Sequence, residues 1–399
     1  MNERANVAAS YVAYVGAAAA CTVRASSCIE ALGASGLLDA IAASSAPVPE
    51  MRDCAAVTGE HASGAGAPAD ADRRRAPVPD GAEVHALALV VYAAGSSDPC
   101  SERFPAGSLF FVDDLQPAAF EAAPVPAGAR VLWVAPALSA RDLRIADIRA
   151  LSAAAHARGA LLAVDMSATT SYCSAALEFG ADLCLERLDA DGRCDMFGAA
   201  GACSLAADAH PRWMLSVARP HRKKRGGAAA APNCVRFELA GALGGAWDAC
   251  ELRALHDVQV AGDAQTLQDR DARTQRRCDH AHALAAYLSC CDAVPAVVYP
   301  GLPAHPDHAL AAQALRHGAG FVLDFEVPVS VRAGAFMARI APRVAAASAA
   351  AEPEARTRLL ARDGAEGRFV RLIAGLDDPL AIADDLDQAL RWFCDPPEP

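Results

Sequence analysis

An amine able to form an imine with an aldehyde is nearly absent from this chain. Of its 399 residues only Lys223 and Lys224 are lysines, and they stand together in the basic run His221-Arg222-Lys223-Lys224-Arg225. Arginine supplies the rest of the 36 side chains counted as Lys+Arg; it stays protonated and does not form imines under ordinary conditions. Two other groupings could carry chemistry. Asp165 closes the apolar run Leu161-Leu162-Ala163-Val164, and a carboxylate there falls where open α/β sheets form their ligand crevices, beyond the carboxyl ends of the strands. The plainer role for such a residue is to cap the next helix. Cys278, His280 and His282 form a metal-like cluster, with positions 278 and 282 on one helix face. No further ligand lies nearby in the sequence, so no metal is expected.

The elements that must position these residues read as repeated strand–helix–strand units. Val131-Leu132-Trp133-Val134 is a buried-strand pattern ending at Pro136. From Asp142 the positions Ile145, Ile148, Leu151 and Ala155 recur at helical spacing, and Arg158-Gly159 supplies a basic last turn and a glycine stop. The run 161–164 is the second strand, which predicts a parallel pair with a right-handed crossover. A helix from Tyr172 to Phe179, a stop at Gly180 and a strand at Leu183-Cys184-Leu185 repeat the unit. Ala86 to Tyr92 and Leu109 to Val112 are further strands of the same core.

Composition sets the class. A hydrophobic content of 53% over this length builds a sizeable core and two domains. We place a large α/β domain at 1–250 and a smaller α+β domain at 251–399. The latter holds a long helix through Leu284 and Tyr287, strands at Phe321 to Val327 and Phe369 to Ala374, and a last helix from Asp378-Pro379 to Phe393. Residues 58–81 carry Gly, Ala, Pro, Asp and consecutive arginines without apolar periodicity and read as a flexible insertion. The formal charge of −12 repels nucleic acid and anionic membranes, so neither is expected as a partner. No apolar run reaches the roughly 18 to 20 residues of a membrane span. The run from Val7 to Cys21 is interrupted by Tyr11 and Tyr14 and flanked by Glu3, which argues against a signal peptide. A cytoplasmic location follows. The 14 cysteines are scattered, with no CxxC pair, as expected of reduced and mostly buried thiols.

Several segments, taken together, resemble the Cys/Met-metabolism enzymes that use pyridoxal phosphate, a family that includes cystathionine γ-synthase, cystathionine γ-lyase and methionine γ-lyase. His156-Ala157-Arg158-Gly159-Ala160-Leu161-Leu162-Ala163-Val164-Asp165 is similar to the family's HARGALLVVD strand, and Gly180-Ala181-Asp182 to its GAD. The run from Tyr299 to His308 resembles its YPGLPxHPxH segment, and Phe369-Val370-Arg371-Leu372 its late VRL strand. The resemblance spans roughly residues 81 to 393. It implies an aspartate-aminotransferase-like pyridoxal-phosphate fold, with a mostly parallel sheet in the large domain and a smaller C-terminal α+β domain. It also implies that Asp165 pairs with the cofactor's protonated pyridine nitrogen, which makes the ring an electron sink. Tyr92 falls at the spacing of the ring-stacking tyrosine, Ser167 lies among the cofactor contacts, and Arg371 matches the arginine that grips the substrate carboxylate. A core tyrosine and an ordinary ion pair are the plainer roles for Tyr92 and Arg371.

The departures fall on chemistry. Where the family places its Schiff-base lysine, a few residues after GAD, this chain reads Glu186-Arg187-Leu188-Asp189-Ala190-Asp191-Gly192-Arg193. That lysine holds the cofactor and shuttles the α-proton, so no residue here is assigned as catalytic. The family's phosphate-binding SGM turn, which sits at a helix start, is echoed only by Val15-Gly16-Ala17. Its N-terminal Tyr-Ser-Arg motif has no counterpart. Met166 replaces an asparagine, and the late His-Pro-Ala-Ser-Met-Thr-His run is reduced to Ala341-Pro342-Arg343-Val344. The expectation is a homologue of transsulfuration-type lyases and synthases of sulfur amino acids that has lost the lysine-dependent reaction. Two alternatives stay open. One is an active lyase, or one that borrows a lysine from an active homologous subunit; the other is a non-catalytic interaction protein. A homo-oligomer, or a hetero-oligomer with an active homologue, is the expected assembly.

Overall fold

The computed structural model describes residues 17–25, 28–35, 37–38, 41, 89–93, 104, 106–126, 129–187, 212–218, 267–347, 356–362 and 366–394. The expected insertion at 58–81, the basic run with both lysines and the expected domain boundary near 250 lie outside the described residues. The described strands are β1 (Ala17–Arg24), β2 (Leu89–Ala93), β3 (Leu109–Val112), β4 (Val131–Pro136), β5 (Leu161–Asp165), β6 (Leu183–Arg187) and β7 (Arg212–Ala218) in one sheet. A second sheet holds β8 (Val297–Val298), β9 (Val322–Glu326), β10 (Arg358–Ala361) and β11 (Phe369–Ile373). The helices are α1 (Cys28–Ala34), α2 (Pro117–Glu121), α3 (Ile148–Ala157), α4 (Thr170–Cys173), α5 (Leu267–Ser289), α6 (His308–Ala314), α7 (Ala333–Ala347) and α8 (Pro379–Cys394).

The larger sheet runs β1-β7-β6-β5-β4-β2-β3. Strands β2 to β6 pair in parallel, as the repeated units predict, and β7 runs antiparallel to both β6 and β1. The central strands are apolar on both faces because helices cover both. Trp133, Ala135, Leu162 and Val164 pack with Ile148, Leu151 and Ala155 of α3. Leu132, Val134, Leu161 and Ala163 point the other way, into a cluster with Ile29 and Leu32 of α1. The smaller sheet is antiparallel, in order β10-β11-β9-β8. It is covered by α5, α7 and α8 through residues such as Leu284, Leu288, Phe336, Ile340, Ile382 and Leu386. Helix α8 starts as expected, with Asp378 accepting from Leu380 N at 3.0 Å before Pro379 opens the first turn. No helix among the described residues is long and apolar enough to cross a membrane.

Two helix expectations need correction. The helix read from Asp142 begins only at Ile148, where the Asp147 side chain accepts from Ala150 N at 2.9 Å. The preceding residues are held off the helix by local side-chain bonds. Ser139 Oγ accepts from Arg141 N at 3.2 Å and Asp142 from Arg144 N at 3.3 Å. Leu143 has φ +58°, and Ile145 pairs with Leu138 in an isolated bridge. The helix read from Tyr172 to Phe179 is only the single turn of α4. Tertiary contacts override its propensity: Ser174 bridges to Leu315, Arg316 N donates to Cys173 O at 2.7 Å, and the Tyr172 ring stacks on His317 at 4.4 Å.

The most family-like motifs do structural work. Asp182 is fully buried and accepts from Leu162 N and from His156 Nε2, each at 2.8 Å, so it ties β5 to α3 and to the turn before β6. Ser152 Oγ lies 3.5 Å from His156 Nδ1 but donates to Gly180 O at 2.8 Å. This serine–histidine–aspartate row is therefore a brace rather than a nucleophile relay. A Cβ at Gly180 would meet Ser152 Oγ at 2.5 Å, and the residue has φ +108°, so space and backbone both demand glycine. In the Tyr299–His308 segment, the Tyr299 hydroxyl donates to Gly320 O at 2.9 Å. Asp307 accepts from Arg144 Nε at 2.5 Å, Arg144 Nη2 at 2.9 Å and Ile145 N at 3.0 Å. Leu138, Leu143 and Ile145 then bury against Ala311, Ala314, Phe321, Val322 and Ile373. The motif thus fastens the second sheet to the loop that follows β4.

These contacts set two expectations. Asp182→Ala leaves the buried Leu162 N–H unpaired and removes the His156 brace, and should lower the urea unfolding free energy by about 2–3 kcal/mol. Burial opposes the charge on Asp307, but the Arg144 guanidinium and the Ile145 N–H outweigh it and hold the carboxyl below its ordinary value. A depressed native value gives stability that is complete above the unfolded value of about 3.9 and is lost as pH falls through the native one. The stability difference between the natural chain and Asp307→Asn should therefore be constant near neutrality and vanish in acid.

Candidate functional site

Asp165 ends β5 on the α1 side of the sheet, since alternation puts it on the same face as Leu161 and Ala163. It is buried, accepts from Ser167 N at 2.9 Å, and is also hydrogen-bonded by the Ser167 and Cys28 side chains. Burial raises its carboxyl above the usual range, while those hydrogen bonds and the charge of Arg187 pull partly the other way. Ser167 Oγ in turn accepts from Arg187 N at 3.2 Å, which joins the ends of β5 and β6. The result is a buried carboxylate at the carboxyl end of a parallel strand, surrounded by small donors and one arginine. A cationic ring nitrogen meeting Asp165 would favour its ionised form, against the cost of burial.

Tyr92 lies on β2 in register with Val134, which is in register with Ala163. It therefore shares the Asp165 face, one pleat back from the strand end. Its ring meets the edge of Phe111 with centroids 5.3 Å apart and packs against the α1-side cluster. The expected phosphate turn is misplaced. Ala17 is extended backbone in β1, paired with Ala218, and the strand gives way to a helix only at Cys28; Gly16 lies outside the described residues. Strand pairing with β7 overrides the turn reading. The start of α1 is the strand-to-helix junction, and it brings Cys28 to Asp165.

Arg371 has an internal partner. From β11 its Nε and Nη2 donate to Oδ1 and Oδ2 of Asp324 on the adjacent β9, at 2.7 and 2.8 Å, and its Nη1 donates to Ala140 O. Both residues are buried, Arg371 at 4% exposure and Asp324 at 0%. Arg362 adds a second cation 3.3 Å from Asp324. The two-pronged grip suited to a substrate carboxylate is thus made on a side-chain carboxylate of the chain itself. Asp324 went unread in the sequence, although a lone acid inside Val322-Leu323-Asp324-Phe325 is a strand-buried charge that needs a cation across the ladder. Cys28 was missed because no family letter marks it.

Two cavities among the described residues, of about 420 and 270 Å³, are lined by neither Asp165 nor Arg371. The cysteine–histidine cluster does not assemble as a metal site. Cys278 Sγ lies 3.6 Å from Cys173 Sγ, His280 Nδ1 lies 3.1 Å from Gly375 O, and no group of three metal-type side chains converges among the described residues.

The comparisons agree with this architecture. The family model of the Cys/Met metabolism PLP-dependent enzymes matches residues 263–391. A putative cystathionine γ-lyase of Streptomyces coelicolor is 29% identical over 270 residues, 66% of this chain and 59% of its own length. Cystathionine γ-lyase of Bos taurus is 26% identical over 300 residues, 70% of this chain and 65% of its own length. L-methionine γ-lyase of Pseudomonas deceptionensis is 27% identical over 296 residues, 70% of this chain and 66% of its own length. The chain therefore spans just under two thirds of these relatives. The crystal structure of apo CalE6, a methionine γ-lyase from Micromonospora echinospora, superposes with a TM-score of 0.51 at 20% identity over 76% of each chain, which shows a shared fold. The matched model, the relatives and the shared α/β fold make this chain similar to the Cys/Met metabolism pyridoxal-phosphate-dependent enzymes.

Proposed function

We propose that the chain is a catalytically impaired homologue of transsulfuration-type lyases of sulfur amino acids, cytoplasmic, whose surviving role is binding of a vitamin B6 species or of a partner subunit. The observation that carries this reading is in the sequence. Glu186 to Arg193 holds no lysine, and the chain's only two lysines stand some thirty residues further on. The commitment of Arg371 to Asp324 supports it, because a carboxylate ligand would have to displace a buried internal one.

Pyridoxal phosphate is the family's cofactor, and the residues present suit one end of it only. Asp165 suits the pyridine nitrogen, with Ser167 steadying the carboxylate, Arg187 adding a cation nearby and Tyr92 on the same sheet face. Among the described residues nothing near the end of β6 suits an imine: Glu186 and Arg187 cannot form one, and residues 188–193, outside the described residues, contain no lysine. The fit fails where the chemistry would start, so no catalytic step is assigned.

The test is spectroscopic. The natural chain titrated with pyridoxal phosphate and reduced with borohydride should carry no pyridoxyl group, whereas Asp189→Lys or Ala190→Lys should show the imine band and a trapped adduct. Covalent trapping on Lys223 or Lys224, or γ-elimination by a strictly homomeric preparation, would overturn the reading. Turnover that appears only when an active homologous subunit co-purifies would favour the partner-completed alternative.

A further inference from the structure

The cysteines offer a site that the cofactor chemistry does not use. Cys173 ends α4 and Cys278 lies in the middle of α5, 105 residues apart in sequence, yet their sulfurs stand 3.6 Å apart with both side chains buried. The two segments are held in place independently of the pair. Cys173 O accepts from Arg316 N at 2.7 Å, and Tyr172 donates to Gln275 on α5 at 2.9 Å. Beside Cys278, the Arg277 guanidinium lies 3.7 Å over the Phe321 ring and donates to Ala374 O at 2.8 Å. Cys278 also lines the cavity of about 420 Å³, together with Asp279, His282, Tyr299 and His308. Gly318 lines the same cavity, and a Cβ there would come within 2.7 Å of Cys278 Cβ. Of the two cysteines only Cys278 lines this cavity, and Cys173 lines neither of the two cavities.

We propose that Cys173 and Cys278 form a hydroperoxide-reactive dithiol, in which Cys278 is the sulfur attacked from the cavity and Cys173 resolves it as a disulfide linking α4 to α5. The electrostatics agree. The hydrogen bond from Cys173, the charge of Arg277 and the Gly320 N–H pull the Cys278 thiol below its ordinary value against burial, and the Cys173 thiol is pushed up. Cys173 is therefore the proton holder and Cys278 the nucleophile. In the first step Cys278 sulfur attacks one oxygen of hydrogen peroxide, the O–O bond breaks, and the leaving hydroxide takes up the Cys278 proton as water, giving a sulfenic acid. In the second, Cys173 sulfur attacks that sulfur, the S–O bond breaks, and the departing oxygen leaves as water with the Cys173 proton. Two electrons pass from the thiols to the peroxide, and the sulfurs need only close from 3.6 Å to a bond of about 2.05 Å.

The experiment uses the reduced full-length chain, exposed to hydrogen peroxide, alkylated without reductant and mapped by mass spectrometry. The expected result is a Cys173–Cys278 linked peptide that dithiothreitol releases, and a higher thermal unfolding midpoint for the oxidised protein. In Cys173→Ser, dimedone should label Cys278. If both cysteines carry the alkyl group under peroxide that already oxidises the exposed Cys290 and Cys394, the proposal is overturned. It is likewise overturned if either cysteine is recovered joined to a different one. The mapping on the natural chain decides the matter even where a variant does not fold.

Discussion

The two-pronged bond between Arg371 and Asp324, within the small sheet, is the interaction that fixes the guanidinium reaching the loop after β4 on the large one. Taking both charges out of water is costly, and their mutual attraction offsets that cost only with good geometry and with the remaining donors satisfied. Both conditions are met. The carboxylate receives Nε and Nη2, and the third nitrogen bonds Ala140 O, in the loop that follows β4. That same loop is gripped by Asp307 through Arg144 and Ile145. Its neighbour Ala137 donates to the backbone oxygen of Asp165 at 2.8 Å. A guanidinium on the small sheet thus helps set the loop that borders the buried carboxylate on the large one.

Seen through that clamp, what the chain keeps of its family and what it lacks have separate physical causes. His156, Asp182 and Gly180 brace α3 against β5, and the Tyr299–His308 segment docks the second sheet; each would cost packing or a buried hydrogen bond to change. No lysine stands at 186–193, and the described strands and helices are braced without one. Arg371 stands between the two cases. It keeps its place because Asp324 gives it a structural partner. Asp165 is also held by more than chemistry, through Ser167, Cys28 and the end of β6.

The parallel part of the large sheet, β2 to β6, was legible because its strands are short apolar runs bounded by proline, aspartate and glycine, whereas β1 and β7 went unread. In the smaller sheet β9 and β11 were read and β8 and β10 were not, while α8 was legible from the Asp378-Pro379 start. What failed was local structure decided at long range. Residues 142–147 have helical spacing, but Asp307, distant in sequence, takes the Arg144 side chain and the Ile145 N–H. Residues 174–179 were read as helix, but the 315–317 segment pairs beside them. Of the site, Asp165 was readable from its place at a strand end, whereas Cys28 and Asp324 became visible only with strand register and helix contacts. Ala17 was read as part of a turn because a run of alanines carries no strand signal of its own, and its place in β1 is decided by pairing with β7.

The most direct measurement is a double-mutant cycle on Asp324→Asn and Arg371→Met, read by chemical unfolding of the full chain. A buried ion pair already spent on the fold predicts that each single change costs about 3–5 kcal/mol and that the pair couples by about 2–3 kcal/mol. Additive effects within about 0.5 kcal/mol would contradict the account, for Arg371 would then be a cation held ready for a ligand rather than one already spent on the fold.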